Sequence, residues 1–368
     1  MNIKSLILGS ATVALATAGA QAADAIVIAE PEPVEYVRVC DVYGAGFFYI
    51  PGTETCLRIG GEVRVQVGTA DSDGLGLNYY GLADDTWTSH ARGRIYFDAR
   101  SETEYGTLRG YVRVDSARTS GVNNTYLNHG WLSLGGFRAG WTDSAWVSTP
   151  HGGSAAGGSH SDSGFFYGYH QAHLIQYNFS GSNGFFATVS LEDDNQQGVN
   201  YVPDVVGVVG INQGWGAAWL KVGFDEDTFG SGDSGFGVTA GLHYNIPGAP
   251  GSSFRLIGFY ADSDNKFNPL NGTGLNVTTP EWSIMASYFH RFNAQFGASI
   301  AAQYFSDFYV PGTDVSSGID GWALELHALW TPVENFAVRT EIVYTDIDYG
   351  PGIDDSSVSG FIRFSRFF

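Results

Sequence analysis

The charged residues of this chain fall on a beat of two. Arg92, Arg94 and Arg100 share the parity of Tyr96 and Asp98, with Ile95, Phe97 and Ala99 between them. Arg58 and Arg64 align with Glu62 and Gln66 against Ile59, Val63, Val65 and Val67, and Arg109 and Arg113 align with Tyr111 and Asp115 against Val112 and Val114. Alternate side chains of an extended segment lie on opposite faces, so each segment carries guanidiniums and carboxylates on one side and aliphatics on the other. A column of seven arginines can impose a transverse field on a dipolar solute. The same column can be neutralised in place by Glu62, Asp98 and Asp115; the sequence leaves both readings open, with Arg64, Arg94 and Arg113 nearest mid-segment.

Catalytic chemistry has little support. Gly232-Asp233-Ser234-Gly235 imitates the start of a serine-protease nucleophile motif but sits in a glycine-rich loop. His151, His160, His170 and His173 gather around residues 144–170 without the spacing of a metal site or a triad. Exposed in a passage, they would titrate at about pH 6 to 7. No phosphate-binding glycine motif opens a helix, and the reading is of a non-enzyme without cofactor or metal.

What positions these residues is a repeated strand pattern. Phe236, Val238, Ala240, Leu242, Tyr244 and Ile246 occupy one face of a strand and Gly237, Thr239, Gly241, His243 and Asn245 the other; 295–304 and 322–330 repeat it. Trp322 and Trp330 stand on one face, about 20 Å apart along a strand tilted by roughly 40°. Large aromatics at both ends of an outward apolar face match the two interfaces of a bilayer, and the apolar partner is lipid. No segment reaches the roughly eighteen apolar residues of a spanning helix, and the mean hydropathy is −0.07. The expected fold is therefore an all-β, sixteen-stranded antiparallel transmembrane β-barrel over residues 57–368. The segments at 201–213, 253–265 and 281–292 alternate poorly, which leaves fourteen or eighteen strands open.

Lys4, the apolar run Leu6–Ala18 and the Ala20-Gln21-Ala22 site read as an export signal over 1–22. Fifty glycines and 15% aromatics suit tight turns and girdles. Removing Lys4 takes the formal charge from −20 to −21, which excludes nucleic acid as a partner. Residues 23–56 form an N-terminal segment whose Cys40 and Cys56 read by default as a disulfide worth roughly 3 kcal/mol. A metal on that pair has no histidine at ligand spacing.

Short connections go to the periplasm and long ones outside. The long loops carry Asp84, Asp85, Asp193, Asp194, Asp225, Glu226, Asp227, Asp233, Asp262, Asp264, Asp314, Asp354 and Asp355, with Lys266 almost their only counterion. An acidic mouth concentrates cations over about 8 Å; the acids could also hold divalent cations bridging lipopolysaccharide. The loop 144–170, rich in glycine and serine, with Asp143 before it and Asp162 within it, either folds into the barrel as a constriction, lined by His151, His160, His170 and His173, or stays outside as a free loop.

Glu32–Cys40, Gly44–Ile59, Leu134–Phe137, Pro203–Gly207 and Gly360–Phe368 together resemble the alphaproteobacterial general porins across the mature chain. The resemblance implies a sixteen-stranded homotrimeric diffusion channel of the cell outer membrane with an inward-folded third extracellular loop, surrounded by lipid and lipopolysaccharide. Phe368 would be the C-terminal signal read by the barrel-assembly machinery. Two departures stand out: the third loop has few acids, and Arg366 replaces an outward apolar residue, where it can snorkel to the interface. The expected function is passive diffusion of small hydrophilic solutes and ions with weak cation selectivity. The rival is a sugar- or anion-specific channel using the arginine wall as its binding site.

Overall fold

The computed structural model describes residues 38–73, 75, 77–147, 158–161, 163–165, 167–193, 201–228, 233–270, 273–349 and 354–368. Val39–Phe368 forms one compact unit. A short 3-10 turn (Asp41–Tyr43) and β1 (Phe48–Tyr49) precede the barrel strands. These are β2 (Cys56–Ser72), β3 (Thr88–Thr103), β4 (Gly106–Thr119), β5 (Val122–Leu134), β6 (Phe137–Asp143), β7 (Gln171–Ser180), β8 (Phe185–Glu192) and β9 (Asp204–Gln213). They continue as β10 (Gly216–Asp225), β11 (Gly235–Asn245), β12 (Ser253–Ala261), β13 (Pro280–Arg291), β14 (Phe296–Tyr309), β15 (Ser316–Val333), β16 (Phe336–Asp348) and β17 (Asp354–Phe367).

Each of β2–β17 pairs antiparallel with its neighbours in sequence, and β17 returns to β2 from Phe367–Glu62 to Ser357–Ser72. Sixteen strands thus close without an edge, which is what a bilayer demands of a β structure. Beyond the last rung, Gly61 and the terminal Phe368 exchange backbone hydrogen bonds of 2.9 and 3.2 Å. Two-residue hairpins join several strands at one end; Gly135 between β5 and β6 has φ +56° and Asn335 between β15 and β16 has φ +59°, the left-handed geometry such turns require.

Polarity is inverted relative to a soluble protein. Ile284, Ile300, Leu326 and Ile342 are exposed on the outer surface while Ser283, Ser287, Gln303, Glu325 and Glu341 are buried inside. Outward aromatics of adjacent strands touch one another at Phe236–Tyr260, Trp282–Tyr304 and Trp322–Tyr344, forming one girdle. Phe292–Phe296 and Phe179–Phe185 contribute at the opposite end. Arg366 hydrogen-bonds the carbonyls of Asn335 and Phe367 at the barrel rim.

The interior holds a second apolar cluster. Tyr79 of the first loop, Trp146, Phe165 and Tyr167 of the third and Phe267, Leu270 and Leu275 of the sixth pack against inward Val206, Val208, Ile257, Phe259 and Met285. These inward apolar residues lie on β9, β12 and β13, which explains why the corresponding segments alternate poorly: both faces meet apolar partners, one lipid and one loop.

Leu326→Arg, which puts a charge on the lipid face, is expected to destabilise the barrel by roughly 2–4 kcal/mol. The check is the temperature at which the folded band disappears in detergent gels; an unchanged temperature contradicts a lipid-facing Leu326.

Candidate pore lining

On β2–β4 the register sets the arginines in rows. Arg64 lies opposite Arg92, Glu62 opposite Arg94, Arg94 opposite Asp115 and Arg100 opposite Arg109. Cross-strand like charges repel, and three carboxylates resolve this. Glu62 accepts from Arg64 at 2.9 Å, Arg92 at 2.6 Å and the Ser365 hydroxyl at 2.7 Å. Asp115 takes both donors of the Arg94 fork at 2.8 and 2.7 Å and lies 3.6 Å from Arg92. Asp98 bridges Arg100 (2.9 and 2.7 Å) and Arg109 (2.8 and 2.8 Å) in two bidentate pairs.

The two readings of the wall are thereby joined. Five arginines are held by carboxylates, yet seven arginines against Glu62, Asp98 and Asp115 leave four positive charges over within the group. Arg58 sits over the Tyr96 ring at 5.8 Å. Arg113 donates to the Asn128 side chain, Nε at 2.7 Å.

Asn128 arrives there through a bulge. The β4–β5 register slips between Arg113–His129 and Val114–Leu127, so Asn128 and His129 are both buried. Alternation alone assigns successive residues to opposite faces, so sequence reasoning missed them. It also passed over Trp131 and Arg138, whose guanidinium stacks on Trp131 at 4.5 Å.

The third loop crosses to the far wall. At its base Ser144 N donates to His170 O, and Lys221 of β10 donates to the Trp146 carbonyl at 2.5 Å. At its tip the Ser159 and Ser161 hydroxyls and the Phe165 amide converge on buried Glu325 of β15 at 2.9, 3.2 and 2.9 Å. Arg255 of β12 donates to the carbonyls of Gly158 and Ser159, and Arg363 of β17 to Ser163 at 2.8 Å. Asp143 accepts from Tyr169 and Gln171. His151 and Asp162 lie outside the described residues.

His160 contacts Ser287 at 2.7 Å and Ser253 at 2.9 Å. Burial, reinforced by Arg255, lowers its pKa to about 2, and burial with Lys266 lowers that of His170 to about 3. His173 packs against Trp141, the rings tilted by 56°, on the exposed side of β7. The expectation that these histidines titrate in a passage is therefore corrected for His160 and His170: their rings are neutral at pH 6 to 7.

The mouth also differs from expectation. Asp225, Asp227, Asp264 and Asp355 are buried, and Lys266 pairs with Asp204 of β9. Asp264 accepts from Thr279 and Gly312. Asp225, which accepts from the Lys266 and Asp227 amides, and Asp264 tie loops together because buried loop amides need acceptors. Asp85, Asp193, Asp233 and Asp314 remain exposed; Asp194 is outside the described residues. Among the described residues no group of three His, Cys, Asp or Glu is arranged to hold a metal. Cys40 and Cys56 form the disulfide, with Cα atoms 6.0 Å apart, around Phe47.

Taken together, the loops fill the lumen along β9–β17, where Glu325, Glu341, Ser287 and Ser359 are buried. The five carboxylate-paired arginine side chains of β2–β4 keep partial exposure, from 13% at Arg92 to 28% at Arg109. Water-accessible lumen therefore runs along the β2–β6 wall.

A family model described as a porin subfamily matches residues 24–359. The chain is 41% identical over 249 residues to porin Omp2b of Brucella suis biovar 1 (strain 1330), covering 61% of this chain and 67% of that one. Its fold is similar to that of the outer membrane channel DcaP of Acinetobacter baumannii, with TM-score 0.66, 14% identity and coverage of 86% of this chain and 99% of that one. The trimer form of OmpT of Vibrio cholerae superposes with TM-score 0.56 at 13% identity, over 86% and 100% of the two chains.

Glu325→Ala removes the acceptor of three loop donors and is expected to free the loop tip and raise single-channel conductance; an unchanged conductance means the tip is held elsewhere. Conductance scanned from pH 8 to about 6.5 is expected to show no step that His160→Gln abolishes. The sign is fixed by the lowered pKa: a released loop regains an ordinary histidine, so docking weakens only as pH falls below about 6.5.

Proposed function

The chain belongs to the porin subfamily and forms an outer-membrane channel, and from that premise we propose that it passes small hydrophilic solutes and ions by passive diffusion with weak cation selectivity. The observation that carries this reading is the partly exposed arginine wall facing a lumen whose other half is filled by docked loops. The third loop, 144–170, sets the constriction. Exposed acids at the loop surfaces and uncompensated guanidiniums at the waist act in series. The mouth enriches cations and the waist opposes them, so the net preference is small.

The chain acts as a homotrimer. On the outer surface of β3–β5, small and polar residues replace the girdle: Ala91, Gly93, Ser116 and Thr125, with the Ser116 and Thr125 hydroxyls hydrogen-bonded at 2.8 Å. Such a face is costly against lipid and suits the close approach of another protein surface; the trimeric OmpT supports the same assembly. Residues 1–22 serve as the export signal, and Phe368 presents the chain to the assembly machinery. The remaining outer surface meets lipid, and exposed loop acids meet lipopolysaccharide through divalent cations.

In planar bilayers under a potassium chloride gradient, the zero-current potential is expected to favour potassium modestly; a potential favouring chloride would overturn the selectivity. In unheated gels the protein is expected to migrate as a trimer, and Gly93→Trp to shift it to monomers. A Cβ at Gly93 meets nothing within 4 Å, so the substitution burdens the contact between copies and not the barrel itself. A trimer that tolerates Gly93→Trp would remove β3 from the interface.

A further inference from the structure

Below the waist, four neighbouring strands place side chains at one height. Arg100 is opposite Arg109, Arg109 opposite Ser133, and Ser133 opposite Arg138. Arg100 and Arg109 share Asp98. Arg138 makes no salt bridge among the described residues, Asp143 acting on it only at longer range, and its buried Nε has no hydrogen-bond partner there. Its guanidinium and that of Arg109 both lie over Trp131, at 4.5 and 4.8 Å from the ring centroid. Trp131 continues into a stacked row with Tyr111 at 5.2 Å and Tyr96 at 5.8 Å.

The tier lies close to the short turns at residues 104–105 and 135–136, hence toward the periplasmic exit and apart from the loop-lined constriction. Stacking on Trp131 fixes the planes of two guanidiniums in advance, with the Ser133 position between them. Three arginines against one carboxylate leave two positive charges here. Arg138 as a residue is only half-buried, so its guanidinium charge can be met by an oxyanion from the lumen.

We propose that Arg138, Arg109 and Ser133, braced by Trp131, form a binding site for the carboxylate or phosphate group of a small solute at the periplasmic end of the channel. This deepens, and rests on, the reading of the chain as a diffusion channel. Asp98 already holds the Nε/Nη2 fork of Arg109, so the oxyanion is taken chiefly by the Arg138 guanidinium, with the remaining Nη1 of Arg109 as a further donor. A transient site at the exit draws anionic solutes past the acidic mouth without closing the pore to others.

The test is single-channel recording of the reconstituted full chain in potassium chloride, with inorganic phosphate and, separately, succinate titrated on the periplasmic side. Saturable reduction of current by one or both is expected, and the tighter blocker identifies the source of the oxyanion. Arg138→Gln is expected to weaken the block about tenfold. Arg291→Gln, which removes the same charge near Phe289 at the end of β13, is expected to leave the block in place. Should Arg138→Gln fail to insert, Arg138→Lys keeps the charge, loses the fork and is expected to weaken the block several-fold. Current that falls without saturation, or equal losses in Arg138→Gln and Arg291→Gln, would overturn the site and reduce it to bulk electrostatics. An open, unblocked channel would sink the site and spare the channel reading, whereas absence of conductance would sink the latter.

Discussion

In a bilayer every backbone amide must find its partner within the protein, because no water is present to take its place. The pairing of β17 with β2 is where this constraint is met, since without it two strands would present unpaired edges to hydrocarbon. Closure then dictates the rest. Each strand has an outer face that must be apolar and an inner face that need not be, and arginine, glutamate and serine are admitted wherever the interior is wet.

The interior is used unequally. Along β9–β17 the first, third and sixth loops return apolar side chains to apolar positions on the wall, so that half of the barrel acquires a core much like that of a soluble protein. Along β2–β6 the inward residues are guanidiniums, carboxylates and aromatic rings, too polar to be covered by such loops without loss of solvation. The division between filled and open lumen therefore follows from the side chains of the strands themselves. Glu325 illustrates the boundary: a carboxylate buried on the filled side is tolerable because two hydroxyls and an amide of the third loop donate to it.

Much of this was legible in the sequence. The lipid face and the inward direction of Arg64, Arg94 and Arg109 follow from parity, because the geometry of a strand leaves no other choice; the expected sixteen barrel strands are the number observed, although the poorly alternating segments leave fourteen or eighteen open on sequence alone. The rows formed by Arg100 and Arg109 depend on register between strands, which parity does not supply. Asn128 and His129 were out of reach because a bulge breaks parity where it matters. The buried state of His160, Asp225 and Asp264 depends on where loops dock, and a glycine-rich or acidic stretch is compatible with either a free or a docked loop. Weak alternation in β9, β12 and β13 carried the missing information: strands apolar on both faces in a barrel announce loops folded inside.

The seam between β2 and β17 also imposes an order in time. Its two strands are separated by nearly the whole chain, so the contact that finishes the barrel joins the first barrel strand to emerge and the last. Non-local pairing of this kind is slow to form, since the loop that must close is as long as a loop in this molecule can be. Until the final residues arrive, β2 has to keep one edge available, while the disulfide fastens the preceding segment to its first residue, Cys56. A chain interrupted before β17 would carry lipid-facing strands and two unpaired edges, so a finished barrel waits on the last strand of the sequence.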